Sequence, residues 1–252
     1  MPARHESMDG ASLYERWKAQ WRKVERSSAA YWLKRHARMV TGRELRTFVE
    51  VRRPRRRYGG WTFDPSLLGA TSVGYGFGVG FDLDFEVALA QQYGVTVHVF
   101  DPTPASLAWI ESQDMPPRVR FHPIGVAGYD GTAWFEPPKH PTDESYKITG
   151  RPSVRAVELE VQRLPAIMQA LGHEQLDLLK LDIEGAEYDV IRDMLDSGIQ
   201  VRQLLVEFHH RFRGIGQEAT VAALAMLQRA GFRIFYISPP GTEYSLIRTP
   251  PP

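Results

Sequence analysis

The chain has 252 residues, 43% of them apolar and 24% charged, an ordinary globular composition long enough for one large core. It contains no cysteine, which excludes disulfides, cysteine-ligated zinc and thiol nucleophiles. The net charge of +1 conceals an asymmetry: residues 1–60 hold 16 Lys and Arg against 6 Asp and Glu, and the other 192 hold 15 against 24.

The amino-terminal stretch shows no secretory pattern, and no apolar run approaches a bilayer span, so a cytoplasmic protein without membrane contact is expected. From Ser12, residues Tyr14, Trp17, Trp21, Val24 and later Tyr31 recur three or four apart, one side of an amphipathic helix. That side fits docking on the rest of the chain or on a second copy, as in a homodimer. A second helical stretch is expected over 31–40. The run Arg52-Arg53-Pro54-Arg55-Arg56-Arg57 has the charge to grip phosphates, yet no aromatic RNA-binding signature accompanies it, so a nucleic-acid partner is disfavoured. Residues 1–65 are too poor in apolar residues for their own core and read as a basic helical appendage. A main domain is expected over 66–249.

That domain has the rhythm of a parallel, doubly wound sheet. A strand over 71–75 leads to Gly76-Phe77-Gly78-Val79-Gly80, then to a helix from Asp84 with Phe85, Ala88, Leu89 and Gln92 on one side. A strand over 95–100 ends at Asp101-Pro102, a helix covers 105–113, and a strand over 119–122 ends before Ile124-Gly125. Residues 128–155 break the pattern: a β segment over 132–136 precedes a proline-rich excursion, 137–152, suited to a lid or substrate-reading loop. A strand over 154–161 and a helix over 164–171 follow. The apolar strand 176–181 runs into the acidic corner Asp182-Ile183-Glu184-Gly185-Ala186-Glu187 and a helix ending at Gly198. A strand over 203–208 carries Glu207-Phe208-His209-His210. A helix over 220–229 should turn Val221, Leu224, Ala225 and Leu227 inward. Strands 232–237 and 243–247 form a closing hairpin that puts one antiparallel strand into the sheet.

Two constellations carry chemistry. Gly76, Gly78 and Gly80 lie between a strand and a helix, where bare backbone and a helix amino terminus favour a close, negatively charged ligand. Asp101 ends the next strand, placed to accept from ribose hydroxyls, which points to a nucleoside cofactor. A dinucleotide fingerprint would need glycine where Phe81 stands. The second constellation is Asp182 with Glu184 and Glu207 with His209, each pair two apart on a strand end and so on one side. His209 oriented by a carboxylate suits removal of a hydroxyl proton. The same carboxylates and imidazole, as Asp182, Glu207 and His209, would equally suit a divalent cation such as magnesium. Glu184 and Glu187 also fit a plainer role, complementing the helix dipole.

Leu179-Lys180-Leu181-Asp182-Ile183-Glu184-Gly185-Ala186-Glu187 has the form KxDxEGxE and, with Phe77-Gly78-Val79-Gly80, His98-Val99-Phe100-Asp101-Pro102 and Val206-Glu207-Phe208-His209-His210, resembles the FkbM family of S-adenosylmethionine-dependent methyltransferases. The resemblance covers residues 58–247. It implies a class I methyltransferase Rossmann-like sheet with a reversed last strand. It also implies that Gly76, Gly78 and Gly80 approach the methionine part of S-adenosylmethionine, that Asp101-Pro102 meets its ribose, and that Ile124-Gly125 lies beside its adenine. The acidic residue usual two places before the first loop glycine is here Gly74, so Asp82 or Asp84 would meet the methionine ammonium, with Asp84 favoured. Family members methylate hydroxyl oxygens of small metabolites, natural products or sugars, which implies an O-methyltransferase with a small hydroxylated acceptor. Two rival readings are an RNA- or nucleotide-directed methyltransferase using the Arg52–Arg57 run, and a non-catalytic partner-binding module.

Overall fold

A computed structural model describes residues 28–138, 146–149 and 153–249. The helix expected over 12–24 lies outside the described residues. Two compact units emerge, Met1–Arg46 with Pro239–Gly241, and Thr47–Ser238 with Thr242–Pro252. In the first, helix α1 (Ser28–Val40) contains the stretch expected over 31–40 and stops where Gly42 adopts φ +69°.

The second unit opens with the hairpin β1 (Arg56–Tyr58) and β2 (Trp61–Phe63), turned by Gly59 and Gly60, both at positive φ. It continues through β3 (Val73–Phe77), α2 (Asp84–Tyr93), β4 (Thr96–Phe100), α3 (Pro104–Ile110), β5 (Val119–His122), β6 (Gly125–Val126), β7 (Gly131–Glu136), β8 (Lys147–Thr149) and β9 (Val157–Gln162). Then come α4 (Leu164–Leu171), β10 (Gln175–Leu181), α5 (Glu187–Asp196), β11 (Gln200–Glu207), α6 (Gln217–Arg229), β12 (Phe232–Ile237) and β13 (Glu243–Arg248). Seven strands form one sheet in the order β12-β13-β11-β10-β3-β4-β5, parallel throughout except for β13. This is the expected α/β sheet with a reversed last strand.

Apolar side chains leave both faces of the sheet, so helices cover both. Leu164 and Ile167 of α4, Ile191 and Met194 of α5, and Leu224 and Leu227 of α6 bury one face with Leu179, Leu181, Leu204 and Val206. Phe85 and Leu89 of α2, with Ile110 of α3 and Trp61 and Phe63 of the hairpin, bury the other. A second sheet, β6-β9-β7-β8, stands apart with its own small core of Ala133, Phe135 and Val161.

Several expectations need correction. The strand expected over 154–161 belongs to this second sheet, antiparallel to β7, because its exposed Glu158 and buried Val161 suit a half-solvated edge rather than a buried parallel strand. The excursion 137–152 is not all loop: β8 pairs with β7. The first strand lies two residues later than 71–75, so Gly76 is a strand residue. A side chain there would meet Glu86 Oε1 at 2.8 Å, which is why the strand carries glycine. Helix α3 stops at Ile110, short of 113. Val221 is 55% exposed, and α6 turns Thr220 and Ala223 inward in its place. Gln92 is exposed and accepts from the Tyr58 hydroxyl.

Candidate active site

Strand register assembles the site. Phe77, Phe100, Leu181 and Val206 lie level across β4-β3-β10-β11, so the next residues, Gly78, Asp101, Asp182 and Glu207, emerge along one edge. That edge is the carboxyl end of the parallel strands, beside the point where chain order reverses between β3 and β10. A cavity of about 300 Å³ opens there, within the size range of small-molecule sites. Its lining includes Gly78, Gly80, Asp101, Pro102, Gly125, Asp182, Glu184 and Glu207. Phe135, Tyr146 and Ile148 of the second sheet form an opposing wall.

Gly78 has no alternative residue, since it sits at φ +84° and an added Cβ would lie 1.8 Å from the Asp182 carbonyl oxygen. Gly125 lets Val161 and Pro102 approach, each close to 3.0–3.1 Å from where its Cβ would stand. Asp101 is buried, and both its oxygens are engaged: Oδ2 accepts from the Val79 and Gly80 amides, Oδ1 from the Thr103 amide and hydroxyl. It therefore fastens the glycine loop to β4. Three expected cofactor residues stand outside the cavity lining. Gly76 lies within β3, Ile124 packs against the core, and Asp84 points away at the start of α2. Asp82, two residues earlier, lines the cavity and accepts from the Asp84 amide.

The structure also supplies residues that sequence reasoning missed. Lys180 and Glu86 form a buried ion pair of 3.0 Å facing the cavity, and the ammonium lies 5.3 Å from the Trp61 ring centroid. Burial alone would lower the Lys180 pKa, but the Glu86 and Asp182 carboxylates outweigh it and hold it above the ordinary lysine range. The signal was available: a lysine inside an apolar strand requires a buried counter-charge.

On the other side of the cavity, the acidic corner and the end of β11 converge. Glu187 is fully buried and accepts from the Gly185 amide at 2.9 Å and from the His209 amide at 2.9 Å, with His209 Nδ1 at 3.3 Å. It is a positioning residue, in keeping neither with a dipole partner alone nor with direct contact to a ligand. His209 Nε2 then faces Glu184 at 3.6 Å and Asp182 at 3.9 Å. Glu184 holds φ +53°, the one non-glycine residue at positive φ among the described residues, a strained backbone at the site itself. One ligand atom each from Asp182, Glu207 and His209 lies within 4.8 Å of the others. His210 is buried elsewhere and lines none of the cavities described here.

The electrostatics of this cluster are unusual. Burial pushes the Asp182 carboxyl up, only partly offset by Lys180 and His209. Burial and Asp182 push Glu207 up to about 7. Burial opposes charge on His209, yet its hydrogen bond to Glu187 and the nearby Glu187, Glu184 and Glu207 charges push it up to about 9. Half-buried carboxylates around one imidazolium can hold and release a proton near neutrality. Hard oxygen donors with one imidazole also match a magnesium- or manganese-type donor set.

Among the described residues no helix is long and apolar enough to cross a membrane. Probable methyltransferase-like protein 24 of Rattus norvegicus is 30% identical over 173 residues, covering 64% of this chain and 42% of that protein. Its Homo sapiens counterpart is 28% identical over the same length, covering 64% and 41%. The chain thus spans about two fifths of the length of these curated relatives. Among solved structures, Aeropyrum pernix fibrillarin with natively bound S-adenosyl-L-methionine aligns at 10% identity and a TM-score of 0.43, covering 81% of this chain and 85% of that one. The profile of the methyltransferase FkbM domain matches residues 72–234, well over half of the sequence and inclusive of every strand that borders the cavity except β13 and the hairpin. The chain belongs to the FkbM family of S-adenosylmethionine-dependent methyltransferases.

Proposed function

We propose that this protein transfers a methyl group from S-adenosylmethionine to a hydroxyl of a small metabolite, natural product or sugar. The observation that carries the reading is the convergence of Asp182 and Glu207, both in the wall of the glycine-lined cavity, with His209 close behind them. S-adenosylmethionine, when bound, would supply the methyl group to the acceptor oxygen and leave as S-adenosylhomocysteine, its sulfur keeping the electron pair of the broken C–S bond as the C–O bond forms. The hydroxyl proton goes to the carboxylate cluster, with Glu207 as the base suited by its pKa and Asp182 aligning the hydroxyl. Alignment supplies much of the remaining rate. Among the residues that line the cavity, Gly78 and Gly80 would hold the methionine end of the cofactor, Asp82 and the Glu86–Lys180 pair its charged groups, and Pro102 and Gly125 its nucleoside. Asp101 serves this site by holding the loop.

In this reading the methyltransferase domain runs to 249 and includes β1 and β2, whose Trp61 and Phe63 are buried in its core, with the basic helical segment ahead as an appendage. A cytoplasmic setting matches a cytosolic cofactor. Self-association through α1, where Trp32 and Leu33 are 54% and 62% exposed, goes with it, and light scattering that returned the mass of one chain would remove that part. Asp182, Glu207 and His209 would also hold a divalent cation, which would lower the pKa of the acceptor hydroxyl. Turnover unaffected by a chelator removes this second reading.

The decisive test is calorimetric titration of the wild type and of Asp182→Asn with S-adenosylhomocysteine, NAD serving as control. Micromolar binding to both proteins, no binding of NAD, and a loss of turnover of at least 10²-fold in the variant are expected. Absence of binding to the wild type overturns the reading. Binding with turnover intact in the variant removes Asp182 from the chemistry.

A further inference from the structure

A second cavity of about 620 Å³ adjoins the first, and the two share Glu184 and Ile148. Its walls come from three places: the β6–β7 turn with Tyr129, strand β8 with Lys147, and the segment after β11 with Arg211, Phe212 and Arg213. That last segment packs on Gly185, which holds φ +109° and lies where a Cβ would stand 2.9 Å from Ile215 Cδ1. Phe212 of the second cavity packs between elements: its ring centroid lies 4.7 Å from that of His209 and 3.7 Å from Lys147 Nζ, so it touches both a cation and the proton-handling cluster.

Charge along this cavity is polarised. Near the shared boundary stands Glu184, whose carboxylate faces His209. Toward the outside stand Lys147, Arg211 and Arg213, all solvent-exposed. The other acid in the wall, Asp189, is taken by Arg192 at 2.8 Å. A hydroxyl that enters the boundary meets proton acceptors, while the exposed wall carries two guanidinium groups and an ammonium, the residue types that recognise a carboxylate, phosphate or sulfate. In the same wall Tyr129 is half exposed and offers a face to a flat ring or to the apolar face of a sugar.

Resting on the methyltransferase reading above, we propose that the second cavity is the acceptor site. The acceptor it takes is an anionic hydroxylated molecule, with its hydroxyl toward Glu184 and its negative group toward Lys147, Arg211 and Arg213. The probes are phenyl phosphate and 4-hydroxybenzoate, with phenol and 4-hydroxybenzamide as their uncharged counterparts. Each is titrated into the full chain saturated with S-adenosylhomocysteine. We expect at least one charged probe to bind tenfold or more tightly than its counterpart, and which one does so distinguishes phosphate from carboxylate. The Lys147→Ala/Arg211→Ala/Arg213→Ala variant should lose that preference, and Arg211→Lys/Arg213→Lys should keep most of it. Both variants should bind S-adenosylhomocysteine within twofold of the wild type, which shows that they are folded, and Arg229→Ala on α6 controls for net charge. Charged probes that bind no better than neutral ones, undetectable binding of all four included, overturn the proposal. So does a preference that survives the triple substitution. Failure of the wild type to bind S-adenosylhomocysteine falls instead on the methyltransferase reading, before any probe is added.

Discussion

Glu187 gives His209 its protonated state. The buried carboxylate accepts from the ring and the amide of the same histidine, and the surrounding acids hold the imidazolium up to about pH 9. At neutral pH His209 is therefore a donor and an electrostatic partner, and the base must be a carboxylate. Burial and Asp182 push Glu207 up to about 7 and the neighbouring acids push His209 up to about 9, so the cluster as a unit changes protonation across this range. Deprotonation of Glu207 supplies the base, so kcat should rise through about pH 7. Loss of the His209 proton removes the donor, so kcat should fall again near pH 9. Glu207→Gln should lower kcat by about 10²-fold and abolish the rise near 7. Initial rates across this range test it, and an acidic limb unchanged in the variant assigns that limb elsewhere.

At the scale of elements, β4, β5 and the turn after α4 bring three histidines together. His98 Nδ1 is 2.9 Å from His122 Nε2, and the His98 and His173 ring centroids are 5.1 Å apart. The Tyr75 hydroxyl closes the group by its 2.6 Å contact with His173 Nδ1. Burial lowers His98 to about 4, helped by His122, His173 and Arg120, and lowers His122 and His173 as well. A lowered pKa means that the folded state binds fewer protons than the unfolded chain. The stability it represents is fully present above about pH 6.5 and is lost as pH falls toward 4. For His98 the loss is on the order of 2–3 kcal/mol. Thermal denaturation across that window should show the decline, and His98→Phe should flatten it; parallel curves for the two proteins would show that the cluster contributes nothing to acid sensitivity. The three histidines share no motif with one another, being 24 and 51 residues apart in the sequence. Their encounter follows from the order β3-β4-β5 and from the return of the chain after α4.

For the whole molecule, the basic front does less than its charge suggests. Of the arginine run, Arg53 pairs with Asp64 at 2.5 Å and Arg57 donates to the Gly60 carbonyl at 3.0 Å and attracts Glu243. These charges hold the hairpin on the acidic body. Binding of single-stranded RNA should then be weak, with a shallow dependence on salt that Arg52→Ala/Arg55→Ala/Arg56→Ala leaves unchanged. A steep slope of log affinity against log salt, lost in that variant, would return the nucleic-acid-directed reading. The sequence by itself determined the alternation of strands and helices, the reversed last strand, the glycine turn and the acidic corner, because each is written in local periodicity or in residues that few other environments tolerate. It also carried the family, through KxDxEGxE. Only the tertiary structure decided which residues face the cavity. A shift of two residues in β3 moved Gly76 into the sheet, a turn of α2 brought Glu86 to Lys180 and left Asp84 outside the lining, and four hydrogen bonds tie Asp101, itself in the cavity wall, to the glycine loop and to Thr103. The second sheet was hidden for the same reason. Pairings between distant segments leave no period in the sequence, and the partners of a buried charge are set by packing rather than by spacing.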